Sequence, residues 1–193
     1  MSVAALERLR EMLRQQGGLI ATLVDRASVA HADLDREVAP EAVAHSLGEN
    51  GLDSPASLAA EGPLTEARSE EYELLVEAIY EGYLLHYGSP RVVRAPDADL
   101  RLLAGDRLYA IGLARLVELG DTPSVAELAD TITLSALAQG AGERQLADAI
   151  WLAGARAVGW GSSEAHRHAK RLVSAGAPEA IEAMRTSALP AGA

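Results

Sequence analysis

Apolar residues recur at helical spacing along the chain, and nowhere does an alternation of period two persist. That pattern predicts an all-α protein, organised as a single-domain helical bundle over residues 1–193. The strongest segment runs from Ser69 to about Tyr87, with Leu75, Ile79, Tyr83 and Tyr87 on one stripe and Tyr72, Val76, Tyr80 and Leu84 widening it. So broad an apolar face predicts a helix covered on most sides. Glu70 and Glu71 complement its positive end, and Gly88-Ser89-Pro90 stops it. With no Phe and only 4% aromatic residues, the core has to come from Leu, Ala, Val and Ile between closely spaced helices.

The remaining helices follow from the same spacing and from punctuation. The first is expected from Val3 to Gln16, with Leu6, Leu9 and Leu13 on one face and a stop at Gly17-Gly18, and a second from Leu19 to about Leu34. Residues 35–68 are broken by Pro40, Gly48, Asn50-Gly51, Pro55 and Gly62-Pro63 into irregular or short-helical pieces, Pro40 to Leu47 and Pro55 to Ala60. Ser54 before Pro55 is a good helix start, because serine can cap while proline lacks an amide the first turn would leave unpaired. Further helices are predicted from Asp97 to Leu119, from there to Gly140 with Ser124 and Glu127 as a capping box, and over Glu143–Val158, Ser163–Ala175 and Pro178–Ser187, leaving 188–193 as a flexible tail.

Charge and composition exclude several function classes. A formal charge of −11, with no basic run longer than Lys170-Arg171, repels phosphate backbones and argues against nucleic acid. The absence of cysteine excludes disulfides, thiolate zinc sites and thiol catalysis. The N-terminus lacks the layout of a signal peptide, and no uncharged apolar run reaches about eighteen residues, so a cytoplasmic chain that does not span a membrane is expected.

Candidate chemistry is sparse. His166 and His168, two apart, point to different sides of a helix and are expected at the surface; His31 and His45 lie among polar residues, and His86 suits the negative end of its helix. Asp33-x-Asp35 and Asp97-x-Asp99 could hold a hard cation, but both flank helix boundaries where aspartate caps. No nucleophile elbow, Walker loop or dinucleotide fingerprint occurs. The exception is Gly105-Asp106 inside the Asp97–Leu119 helix, where glycine costs roughly 1 kcal/mol against alanine. The pair marks a close helix contact: Gly105 and Gly112, seven apart, share a face able to admit a partner helix, and Asp106 can reach a neighbouring one.

Three segments in order resemble the all-trans polyprenyl diphosphate synthases: Glu77-Ala78-Ile79-Tyr80-Glu81-Gly82-Tyr83-Leu84-Leu85-His86, then Leu102-Leu103-Ala104-Gly105-Asp106-Arg107-Leu108-Tyr109-Ala110, then Leu116 to Asp121 with Val125-Ala126-Glu127-Leu128-Ala129 and Leu137-Ala138-Gln139-Gly140. The resemblance covers about seventy residues, from about Glu73 to Gln145, and implies a reduced isoprenoid synthase fold. Where that family places the first aspartate-rich motif, this chain has Tyr87, Gly88 and Arg91. Those aspartates hold the magnesium that neutralises an allylic diphosphate, and a tyrosine, a glycine and an arginine do not replace them. Ala141 follows Gly140 where the family has glutamine, and neither the second aspartate motif nor the N-terminal basic motif is found.

The closest likeness is therefore to the noncatalytic small subunit, component I, of two-component hexaprenyl or heptaprenyl diphosphate synthases. It implies a subunit that pairs with a catalytic prenyl diphosphate synthase and helps set product chain length, as a heterodimer or with a homodimer in its place. Magnesium would be held by the catalytic partner, with no cofactor in this chain. Gly82 and Tyr83 stand where relatives limit chain length, and ordinary packing also explains them. Two further readings remain: a freestanding helical protein binding an apolar, lipid-like ligand, and an enzyme whose metal ligands are Asp97, Asp99 or Asp106.

Overall fold

The computed structural model of the protein describes residues 3–24 and 54–190. Those residues form an all-α, single-domain helical bundle with no strand among them. In chain order the helices are α1 (Val3–Gln16), α2 (helical over residues 18–24), α3 (Pro55–Ala60), α4 (Ser69–Tyr87, after a 3-10 turn at Glu66–Arg68), α5 (Ala98–Glu118), α6 (Thr122–Gly140), α7 (Arg144–Trp160), α8 (Glu164–Ser174) and α9 (Ala180–Ser187). Among the described residues, no helix is long and apolar enough to cross a membrane. The rest of the predicted Leu19–Leu34 helix, the Pro40–Leu47 helix, and His31, Asp33, Asp35 and His45 lie outside the described residues.

Local chemistry sets most boundaries. α1 stops at Gly17 and Gly18, whose φ angles of +67° and +63° lie in the left-handed region that side chains with a Cβ disfavour. At α3, Ser54 accepts a hydrogen bond from the Ser57 amide with Pro55 in the first turn. Asp97 caps α5 by accepting from the Leu100 amide at 2.8 Å.

One predicted start is different. Asp121, not Ser124, caps α6, accepting from the Ser124 amide at 3.0 Å, so the helix begins at Thr122 with Pro123 in its first turn. The Asp121 carboxylate also accepts from the Tyr72 hydroxyl of α4 at 2.6 Å. Burial and that hydrogen bond push the Tyr72 hydroxyl up to about 12. Glu127, freed from a capping box, turns inward.

α4 lies between two apolar clusters and packs on α5, α3 and α1. Leu75, Val76 and Ile79 belong to the larger cluster with Leu128, Ile150, Trp151 and Met184. Ala78 and Leu85 belong to the second, with Leu9, Leu13, Leu23, Val92, Val93 and Leu108. Each buried Leu, Ile or Val contributes about 1.5–3 kcal/mol relative to exposure, and placing such residues around α4 makes it the axis of the bundle. α3 closes on the end of α7, where a Cβ on Gly62 would lie 2.1 Å from the Gly159 carbonyl oxygen. The Leu64 amide donates to that same oxygen at 3.0 Å.

Candidate functional site

The residues singled out in sequence meet at the crossing of α4 and α5. A Cβ on Gly82 would stand 2.9 Å from the Gly105 carbonyl oxygen and 3.0 Å from the Tyr109 ring. A Cβ on Gly105 would stand 2.4 Å from the His86 ring, and one on Gly112 would stand 2.4 Å from Ile79. The three glycines therefore let two helices of the same chain approach, and the helix that Gly105 and Gly112 admit is α4. His86 is placed by this contact: its ring stacks on Tyr109 with centroids 5.4 Å apart and planes 9° apart. His86 stands in the last turn of α4, as expected, and this packing contact adds to that position. Asp106 lies outward, its side chain 68% exposed, with Oδ1 3.3 Å from His86 Nε2 but outside hydrogen-bond alignment.

Tyr87, Gly88 and Arg91, the positions that the resemblance sets against an aspartate motif, diverge. Tyr87, at the end of α4, is 45% exposed, with its ring centroid 5.4 Å from that of Tyr83. Gly88 is exposed, and its carbonyl accepts from Arg101 at 3.2 Å. Arg91 turns inward, donating to Glu77 Oε1 from Nη2 and approaching Glu81 Oε2 from Nε at 3.4 Å, with its guanidinium 5.1 Å from the centre of the Tyr80 ring. Side chains pointing in different directions do not converge on one ion. Asp97 is engaged as the α5 cap, and Asp99, like Asp106, is exposed.

The connection at residues 88–97 is anchored by Glu81. Its Oε1 accepts from the amides of Arg91, Val92 and Val93 at 2.8, 2.7 and 3.1 Å, and its Oε2 accepts from the Arg91 amide at 3.1 Å. A carboxylate surrounded by backbone donors compensates for its own burial. Glu77, one turn earlier and equally buried, has Arg91 on Oε1 only, while its Oε2 is buried without a hydrogen bond. Sequence reading missed both glutamates. Their four-residue spacing inside a helix apolar on most sides was the available signal.

Deeper between α4 and α7, Tyr80, Tyr83 and Trp151 pack with ring centroids 4.9 to 5.8 Å apart. Gln139 of α6 donates to the Tyr83 hydroxyl at 2.6 Å, so Tyr83 is a core residue with a satisfied polar tip. Asp148, half-buried on α7, has its carboxyl pushed up by burial.

A second polar cluster joins α6, α8 and α9. His166, expected at the surface, is buried: Nε2 lies 2.6 Å from Glu127 Oε1, and Nδ1 lies 3.2 Å from the Ser187 hydroxyl. Lys170 donates to Glu127 Oε2 at 3.0 Å and to Asp130 at 2.8 Å. Burial alone would raise the Glu127 carboxyl, but His166 and Lys170 outweigh it and hold the group below its ordinary value. The Ser187 hydroxyl donates to the Met184 carbonyl at 2.9 Å, and the amides of Ala188 and Leu189 are engaged within the same helix end. With the serine hydroxyl on that carbonyl and these amides used within the helix end, the cluster reads as a tie between helices.

Comparison of the chain with family models, curated proteins and solved structures gives no match.

Proposed function

We propose that this protein is a noncatalytic partner subunit of a trans-polyprenyl diphosphate synthase, acting through assembly with a catalytic chain and influencing product chain length. The supporting observation is the outer side of α5. Its inner side is occupied by α4, yet Leu103 and Val117 are 60% and 57% exposed on the opposite side, in line with exposed Ala110 and Ala114. Leu103, Ala110 and Val117 recur every seven residues, the spacing that keeps small and apolar residues on one helix face over about 20 Å. Leu102 adds to the exposed apolar surface of α5, and Leu137 is exposed on neighbouring α6. Exposed apolar residues aligned on a helix are the feature of a chain that docks.

The altered aspartate motif supports the noncatalytic half of the reading. Arg91 engages Glu77 and Glu81 instead of presenting a carboxylate, and the positions at 87 and 88 carry no metal-ligating acid. A freestanding apolar-ligand protein is less well supported, because a ligand between α4 and α7 has to displace Tyr80, Tyr83 and Trp151.

The test is to mix the purified chain with full-length synthases that carry both aspartate motifs, supplying isopentenyl diphosphate, an allylic diphosphate and magnesium. Co-purification, with prenyl transfer or a changed product length appearing only on mixing, is the expected result. If a broad set of synthases neither binds the chain nor alters its products in its presence, the proposal is abandoned.

A further inference from the structure

Two buried carboxylates of α4 share one guanidinium. Glu81 is well provided for, with the amides of Arg91, Val92 and Val93 in addition to the Arg91 side chain. Glu77 receives the Arg91 side chain on one oxygen, and its other oxygen is buried with no donor. Among the described residues, the remaining charged neighbours do not redress this. Glu73, a turn earlier on α4, holds Arg8 of α1 at 2.5 Å and accepts from Ser57 of α3 at 3.3 Å. Arg10 of α1 pairs with Glu7 and also touches the Arg91 carbonyl at 3.4 Å, and Tyr80 lies under Arg91. Asp148 of α7, near enough to Tyr80 to act on it, brings negative charge only.

Glu81 has backbone amides as well as Arg91, whereas an ionised Glu77 would keep one charged oxygen buried without a donor, an unfavourable state. A proton relieves that state, and it belongs on the carboxyl with fewer donors. We propose that Glu77 carries its proton in the folded protein and that the docking of the 88–97 connection onto α4 is a proton-controlled latch, loosened when Glu77 ionises. The inference is independent of the assembly proposed above. Burial pushes the Glu77 carboxyl above its ordinary 4.5, Glu81 and Glu73 add to the rise, and Arg91 opposes it. With the folded value raised, the folded chain binds more protons than the unfolded one above pH 4.5, so this contribution to stability is present at lower pH and lost as pH climbs through the shifted value.

The test uses the full chain, carbon-13 labelled at glutamate, with the Glu77 side-chain carboxyl followed against pH. A midpoint above the ordinary 4.5 is expected. In parallel, amide exchange at Val92 and Val93 is compared between wild type and Glu77→Gln at matched pH. The wild-type rate divided by the variant rate is expected to rise at least about tenfold as the pH climbs from below that midpoint to well above it. A midpoint at or below 4.5 overturns the proposal. A raised midpoint with a constant rate ratio overturns the latch. Should Glu77→Gln fail to fold, its neutral side chain does not replace Glu77, and that too refutes the protonated state.

Discussion

A methyl group at position 62 would meet backbone, since the Gly159 carbonyl carbon and Cα lie 2.2 and 2.3 Å from where the Cβ would stand. Backbone cannot turn aside as a side chain can, so Gly62→Ala is expected to cost about 3 kcal/mol or more by overpacking. Gly140 is a matched contrast: it ends α6 with nothing within 4 Å of the added atom. Gly140→Ala should leave stability unchanged or raise it by about 0.5 kcal/mol through reduced freedom of the unfolded chain. Urea unfolding of both variants checks the pair, and a similar loss in each would refute the close-approach account. In sequence, Gly62-Pro63 and Gly140-Ala141 read alike, as places where a helix pattern stops. Only the segment packed against each distinguishes a space constraint from punctuation.

Helices were legible because their signals are local. The end of α1 at Gln16, the start of α3 at Pro55 and the end of α4 at Tyr87 follow from the glycine, proline and capping serine beside them. The start of α6 was less so, because Asp121 and Ser124 both suit a cap and the Tyr72 hydroxyl favours Asp121 from a helix 49 residues away in sequence. The tie between α6 and α8 likewise joins Glu127 and His166, 39 residues apart, and no local pattern announces it. Its energetics are testable: Glu127→Gln should cost about 3 kcal/mol at neutral pH, since it leaves the buried His166 without its carboxylate and Lys170 with Asp130 alone. Because Glu127 is held below its ordinary 4.5, its contribution is present above that pH and lost as pH falls through the lowered value. Unfolding midpoints measured from acid to neutral pH should therefore drop toward acid more steeply in wild type than in Glu127→Gln. Parallel curves would show that the pair is not coupled to folding. Glu77 on α4 has the opposite sign, so the two glutamates destabilise the bundle from opposite ends of the pH scale.

Across the whole molecule, the unequal covering of α5 bears most on the proposed assembly. Leu103 and Val117 are exposed, so replacing both with Lys should change the stability of the isolated chain by less than about 0.5 kcal/mol per site. The same double variant is expected to abolish co-purification with a catalytic synthase, as read by size-exclusion chromatography of the mixture. Retained assembly would place the interface elsewhere. The sequence by itself determined that the protein is built of helices, where most of them end, and that α4 would be covered on most sides, because periodicity and capping act over a few residues. Tertiary structure alone decided that Arg91 turns into the bundle, that Glu77 and Glu81 share it unequally, that His166 is buried, and that Gly105 and Gly112 receive α4. Those outcomes depend on which groups, 10 to 40 residues apart, are brought together once water has been excluded.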